Sequence, residues 1–140
     1  MIAALLLAAA VASCRAEYCA KTKDVTACKC YGSDDATYSL RIKRGTKTLY
    51  DAKQDVVNFE NDTIEVRRLD LDADGKPEII VADFAGMSNG MGVRYWNLIV
   101  LDGRTARASA MKVQDYGKGS FRKDNDGSYT ILETSWDWMG

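Results

Sequence analysis

Apolar and polar residues alternate with a period of two along most of the chain from Thr37 onward. Tyr38, Leu40 and Ile42 alternate with polar neighbours, and Arg44-Gly45 then turns the chain. Such a period places successive side chains on opposite faces of a strand. Thr46 to Tyr50 reads as the returning partner of a hairpin, and Ile64 and Val66 alternate with Glu65 and Arg67. Glu78 to Phe84 is a nearly continuous apolar run, which predicts a strand buried on both faces. Val93 to Leu101 is the longest strand candidate, followed by Ala108 to Val113 and Tyr129 to Ser135. Asp51 to Glu60 is the one segment that reads as a short helix.

Turn signals punctuate these runs at Asp74-Gly75, Asp102-Gly103, Gly117 with Gly119, and Asp126-Gly127. Asp-Gly between apolar runs predicts a hairpin with a type I′ turn, whose two central residues need positive φ. The expectation is a mostly β fold: an antiparallel meander or sandwich of about six to seven strands. Asp72-x-Asp74-Gly75-x-x-x-Ile79-Ile80 also aligns with Asp124-x-Asp126-Gly127-x-x-x-Ile131-Leu132, an offset of 52 residues (124 − 72). That is a period at which propeller units repeat, so one to two blade-like units are a further reading.

The first residues break this pattern. MIAALLLAAAVAS holds an unbroken apolar run from Ile2 to Ala12, the length of a signal-sequence core and too short to span a bilayer. Ala10-Val11-Ala12 is a small-x-small cleavage pattern, although no Lys or Arg precedes the run. Val11-Ala12-Ser13-Cys14 also resembles a bacterial lipobox, which would make Cys14 a lipid anchor. The chain therefore divides into a signal helix (1–13), a cysteine-containing arm (14–36) and a β-domain (37–140). The expected location is outside the cytoplasm, periplasmic or secreted.

The four cysteines, Cys14, Cys19, Cys28 and Cys30, all stand near the start of the mature chain. An even set suits two disulfides in an oxidising compartment; lipidation of Cys14 would leave an odd thiol. Cys28 and Cys30 share one face of a strand, which disfavours a bond between them. The remaining connectivities stay open. A C-x4-C-x8-C-x-C spacing fits no common zinc motif.

Charge removes other classes. Nineteen Lys and Arg face 20 Asp and Glu, a net charge of −1, so there is no basic field for nucleic acid. The chain has no histidine, which excludes Ser-His-Asp and Cys-His catalysis and His-ligated metal sites. The glycine-rich segment from Gly86 to Gly92 lacks the Gly-Lys-Ser/Thr of a phosphate-binding loop.

The sharpest chemical signal is LDLDADGKPEIIVA, Leu69 to Ala82. Asp70, Asp72 and Asp74 occupy positions one, three and five, Gly75 position six, and Glu78 position nine. Calcium takes 6–8 oxygen ligands, and carboxylates at alternate positions converge when the chain curls around an ion. An EF-hand needs Glu at position twelve, where this chain has Val81, and a strand pattern follows in place of a helix. In these features the segment resembles the FG-GAP repeats of integrin α-chains and the related bacterial VCBS-type repeats, over about residues 69–84. There a D-x-D-x-D-G-x-x-D loop leads directly into an apolar strand. The resemblance implies Ca2+ held by Asp70, Asp72, Asp74, Glu78 and the Lys76 carbonyl. Glu78 departs from the usual Asp, and Asp83-Phe84-Ala85-Gly86 echoes the naming motif faintly. The second copy carries Arg122 and Thr130 at two ligand positions, so no metal is expected there.

The leading functional reading is an exported binding or interaction module with a structural calcium loop, its partner a protein or glycan. The alternative is a secreted glycan hydrolase using carboxylates such as Asp83, Asp102 and Glu133, with Trp96, Trp136, Trp138 and Tyr95 as sugar-stacking surfaces. A third reading is the N-terminal fragment of a larger repeat protein.

Overall fold

The computed structural model describes residues 13–88, 90 and 92–132. Residues 1–12, which hold the expected signal segment, and 133–140, which hold Glu133, Trp136 and Trp138, lie outside them. Ten antiparallel strands run in chain order: β1 (Ala16–Thr22), β2 (Val25–Tyr31), β3 (Thr37–Arg44), β4 (Lys47–Asp55), β5 (Ile64–Leu69), β6 (Glu78–Met87), β7 (Arg94–Leu101), β8 (Ala108–Gln114), β9 (Phe121–Lys123) and β10 (Tyr129–Ile131). They form two four-stranded meanders, β1-β2-β3-β4 and β5-β6-β7-β8, and the two-stranded hairpin β9-β10. The mostly β reading holds, with more strands than the six to seven expected.

Alternation decides the layering. Val25 and Ala27 of β2 and Leu40 and Ile42 of β3 point from the first sheet into one core cluster. Ile79 and Val81 of β6 and Ile99 and Leu101 of β7 meet them from the second sheet. The intervening residues Ile80, Ala82, Phe84, Trp96 and Leu98 line the opposite face of the second sheet. Phe121, Ile131 and Tyr116 cover that face. β6 thus lies inside a stack of three layers, and its residues are buried from Glu78 to Gly86. This is why its sequence reads as one apolar run.

Three expectations change. The segment 14–36 is no arm: it supplies β1 and β2, paired in register from Ala16 with Tyr31 to Thr22 with Val25. The inward face of β2 reads Val25, Ala27, Lys29, Tyr31, and the lysine disguises the alternation. Asp51 to Glu60 is no helix either. Its first half continues β4, with Leu40 opposite Ala52 and Ile42 opposite Tyr50, because pairing with β3 outweighs weak local propensity. Finally, the hairpin turns are not type I′. In the β7–β8 loop the positive φ falls on Ala106 (59°), outside the Asp102-Gly103 pair.

Two disulfides hold the first sheet, Cys14–Cys30 and Cys19–Cys28. Cys19 and Cys28 are direct cross-strand partners. No cysteine is free, which matches an oxidising environment. The Cys14 sulfur is bonded to Cys30, so it has no bond to give a lipid; this pairing and the lipobox reading are mutually exclusive. Among the described residues no helix is long and apolar enough to cross a membrane.

Candidate metal centre

The connection from β5 to β6 is the Asp70–Glu78 loop. Ala73 (φ 59°) and Gly75 (φ 84°) both take left-handed backbone, curling the chain over its first carboxylate. Asp70 Oδ1 accepts from the Asp74 amide at 3.2 Å and Asp70 Oδ2 from the Gly75 amide at 2.8 Å. Asp72 Oδ1 accepts from the Asp74 amide at 3.3 Å. Glu78, the first residue of β6, is buried and reaches back across the loop. Its Oε1 accepts from the Leu71 amide at 2.8 Å and its Oε2 from the Gly103 amide at 3.1 Å.

One carboxylate oxygen each from Asp70, Asp72 and Glu78 lies within 4.8 Å of the others. Calcium–oxygen bonds are about 2.3–2.6 Å, so oxygens sharing one ion stand up to about 5 Å apart. The three fit a hard cation in donor type and spacing. Partial desolvation, then its contact with Asp74 and the field of Glu78, push the Asp72 carboxyl above the usual range.

Asp74 touches Asp72 but lies outside that group of three. Its Oδ1 accepts from the Lys76 amide at 2.8 Å, and its Oδ2 meets Arg104 Nε at 2.8 Å. The Lys76 amide, together with Asp72 and Arg104, holds the Asp74 carboxyl below the usual range. The Lys76 carbonyl lies against Gly103, where any Cβ would stand 2.5 Å from it and 3.0 Å from Glu78 Oε2. A side chain at position 103 would therefore force the two loops apart. The structure thus brings together Asp70, Asp72 and Glu78 and leaves Asp74 on an arginine. Arg104 and Gly103 had no signal in the sequence beyond an Asp-Gly turn some 25 residues away from Glu78.

The second Asp-Gly copy lies against the first. The Tyr129 amide donates to the Leu71 carbonyl at 2.7 Å, and a Cβ on Gly127 would stand 3.7 Å from that of Ala73. Its own carboxylates are taken: Thr130 Oγ1 donates to Asp124 Oδ2 at 2.7 Å and Ser128 Oγ to Asp126 Oδ1 at 2.6 Å. Comparison with known proteins gives no family: no family model, no curated protein and no solved structure matches this chain. The cysteine sulfurs near Glu17 are in disulfides and offer no thiolate to a metal.

Of the other acidic candidates, Asp102 lies beside this loop, next to Gly103 and Arg104, and Asp83 stands apart from it. Asp83 is wholly buried between the sheets. Its Oδ1 is 2.9 Å from Lys29 Nζ, an ion pair with both side chains fully buried. Its Oδ2 accepts from the Tyr38 hydroxyl and from Asn97 Nδ2 at 3.0 Å. Lys29 also donates to Asn61 Oδ1 and to the Phe84 carbonyl, each at 2.9 Å. Desolvation lowers the Lys29 ammonium and Asp83 raises it, with burial the larger effect. Asp102 Oδ1 closes its own hairpin loop on the Arg104 and Thr105 amides. Asp83, sealed between the sheets, faces no open cleft as a glycosidase acid would. Trp96 packs inside the second cluster against Phe84 and Tyr116, and Tyr95 is buried.

Proposed function

We propose that this chain is an exported β-domain whose Asp70–Glu78 loop binds one calcium ion as a structural clamp, and that it serves as a binding or interaction module outside the cytoplasm. The observation that carries the reading is the convergence of Asp70, Asp72 and Glu78 on one point of ion size. The loop runs straight into a strand buried on both faces, as in the FG-GAP-type repeats that its spacing resembles. An ion there would join the two ends of the β5–β6 connection, because Asp70 follows β5 directly and Glu78 opens β6. The domain's exposed ends and loops would then present a fixed surface to a protein or glycan.

The calcium would supply charge neutralisation, and the chain's residues do the rest. Asp70 and Asp72 are oriented by backbone amides, and Glu78 is anchored by Leu71 and Gly103. The two disulfides support a periplasmic or secreted location and, by using Cys14, a soluble mature form. The test is a melting curve of chelator-treated protein with and without calcium. Stabilisation by mass action supports the reading, and an unchanged curve removes it.

A further inference from the structure

The β7–β8 loop enters the metal centre with a cation of its own. Gly103 donates its amide to Glu78 Oε2, and the next residue, Arg104, holds Asp74 Oδ2 at 2.8 Å. The Asp74 side chain is mostly covered, whereas that of Arg104 is 60% exposed. Both oxygens of Asp74 are therefore engaged, Oδ1 by the Lys76 amide and Oδ2 by the guanidinium. Glu78 differs, because both of its donors are neutral backbone amides, those of Leu71 and Gly103. Of the four loop carboxylates, only Asp74 is held by a side-chain cation, and it is also the one outside the cluster of converging oxygens.

We propose that Arg104 is a built-in competitor of calcium for Asp74. In the calcium-free chain it neutralises Asp74 and keeps that ligand off the ion position. When calcium binds, Asp74 leaves the guanidinium, joins Asp70, Asp72 and Glu78, and releases Arg104 to solvent. Calcium occupancy and the docking of the β7–β8 loop are then coupled, and the site is tuned to a weaker affinity than its carboxylates alone would give. This rests on the calcium reading of the loop. Because Arg104 is exposed and on a hairpin loop, its replacement leaves the core untouched.

Calorimetric calcium titration of the chelator-treated full chain tests this in four forms: wild type, Arg104→Gln, Asp74→Asn, and the double variant. Arg104→Gln is expected to tighten calcium binding roughly fivefold, the scale of an exposed ion pair. In the Asp74→Asn background the same change is expected to do nothing, since there is no carboxylate left to release. Unchanged or weaker binding in Arg104→Gln overturns the proposal, as does equal tightening in both backgrounds, which would be a general charge effect. A second readout is the Arg104 Nε–H signal in nitrogen-15 spectra. It should move towards the free-arginine position on calcium saturation, and a signal that stays put overturns the handover. If no form binds calcium, the calcium reading of the loop fails, and this inference with it.

Discussion

Lys29 Nζ and Asp83 Oδ1 stand 2.9 Å apart across the interface of the two sheets, with neither side chain reaching solvent. The pair ties β2 to β6, strands far apart in sequence, at a point where the flanking residues are Val81, Ala27 and Tyr31. Tyr31 and Tyr38 stack beside it with ring centroids 4.9 Å apart, and the ammonium lies 5.0 Å from the Tyr38 ring centroid.

Removing one member strands the other in a dry interior. Lys29→Met is expected to cost about 3–5 kcal/mol, because Asp83 is left buried without its counterion. The double variant Lys29→Met with Asp83→Leu should recover most of that loss, since it leaves no buried charge. Urea unfolding of the three proteins measures both. A single variant within about 0.5 kcal/mol of wild type would show that the pair contributes only surface-like stability.

Two tyrosines beside that pair, and Tyr116 on the far face of the second sheet, set an alkaline limit. Burial pushes the Tyr31 and Tyr116 phenols up to about 12 and raises Tyr38 further, with the Asp83 charge adding to the effect at Tyr38. Unfolded phenols ionise near 10. Between about pH 10 and 12 the unfolded chain has lost protons that the folded chain retains, so stability falls as pH rises. An absorbance titration of phenolates should show three of the seven tyrosines silent until the chain unfolds. Seven ionising together near 10 in folded protein would contradict the burial of these rings.

Exported material should begin at Ser13 or Cys14 with an unlipidated Cys14, because Cys14 is bonded to Cys30. Intact mass should match two disulfides and no lipid, and thiol titration in denaturant should read close to zero. Replacing both Cys19 and Cys28 by Ser, which opens a crosslink with a sequence separation of 9, should cost about 2.5 kcal/mol in the chain-entropy model. A lipid-sized mass increment, or reactive thiols in exported protein, would contradict this pairing.

The sequence carried the strands of the second sheet because their apolar runs are long and their neighbours chemically plain. It carried Asp70, Asp72 and Glu78 because their spacing is local. What it hid lies in long-range partnership. Lys29 on an inward face looks like a break in the pattern until Asp83 is placed opposite it across the sheets. Asp83 in turn looks like a spare acidic group. Asp74 reads as an equal ligand, and only the approach of the β7–β8 loop shows that Arg104 already holds it. The two Asp-Gly copies align in sequence, yet one connects β5 to β6 while the other packs against it through Tyr129 and Leu71.

The account turns on whether the Asp70–Glu78 loop binds calcium in solution. The decisive measurement is the melting temperature of chelator-treated protein titrated with calcium, for wild type, Asp72→Ala and Asp126→Ala. At a hundred times Kd, binding to the folded state alone stabilises by about 2.7 kcal/mol, which for a domain of this size is a rise of about 10 °C. Wild type and Asp126→Ala should both show the rise, Asp72→Ala should not, and magnesium should do less than calcium. A wild-type melting temperature that does not move with calcium would contradict the account, and equal loss in both variants would place the ion in the other Asp-Gly loop.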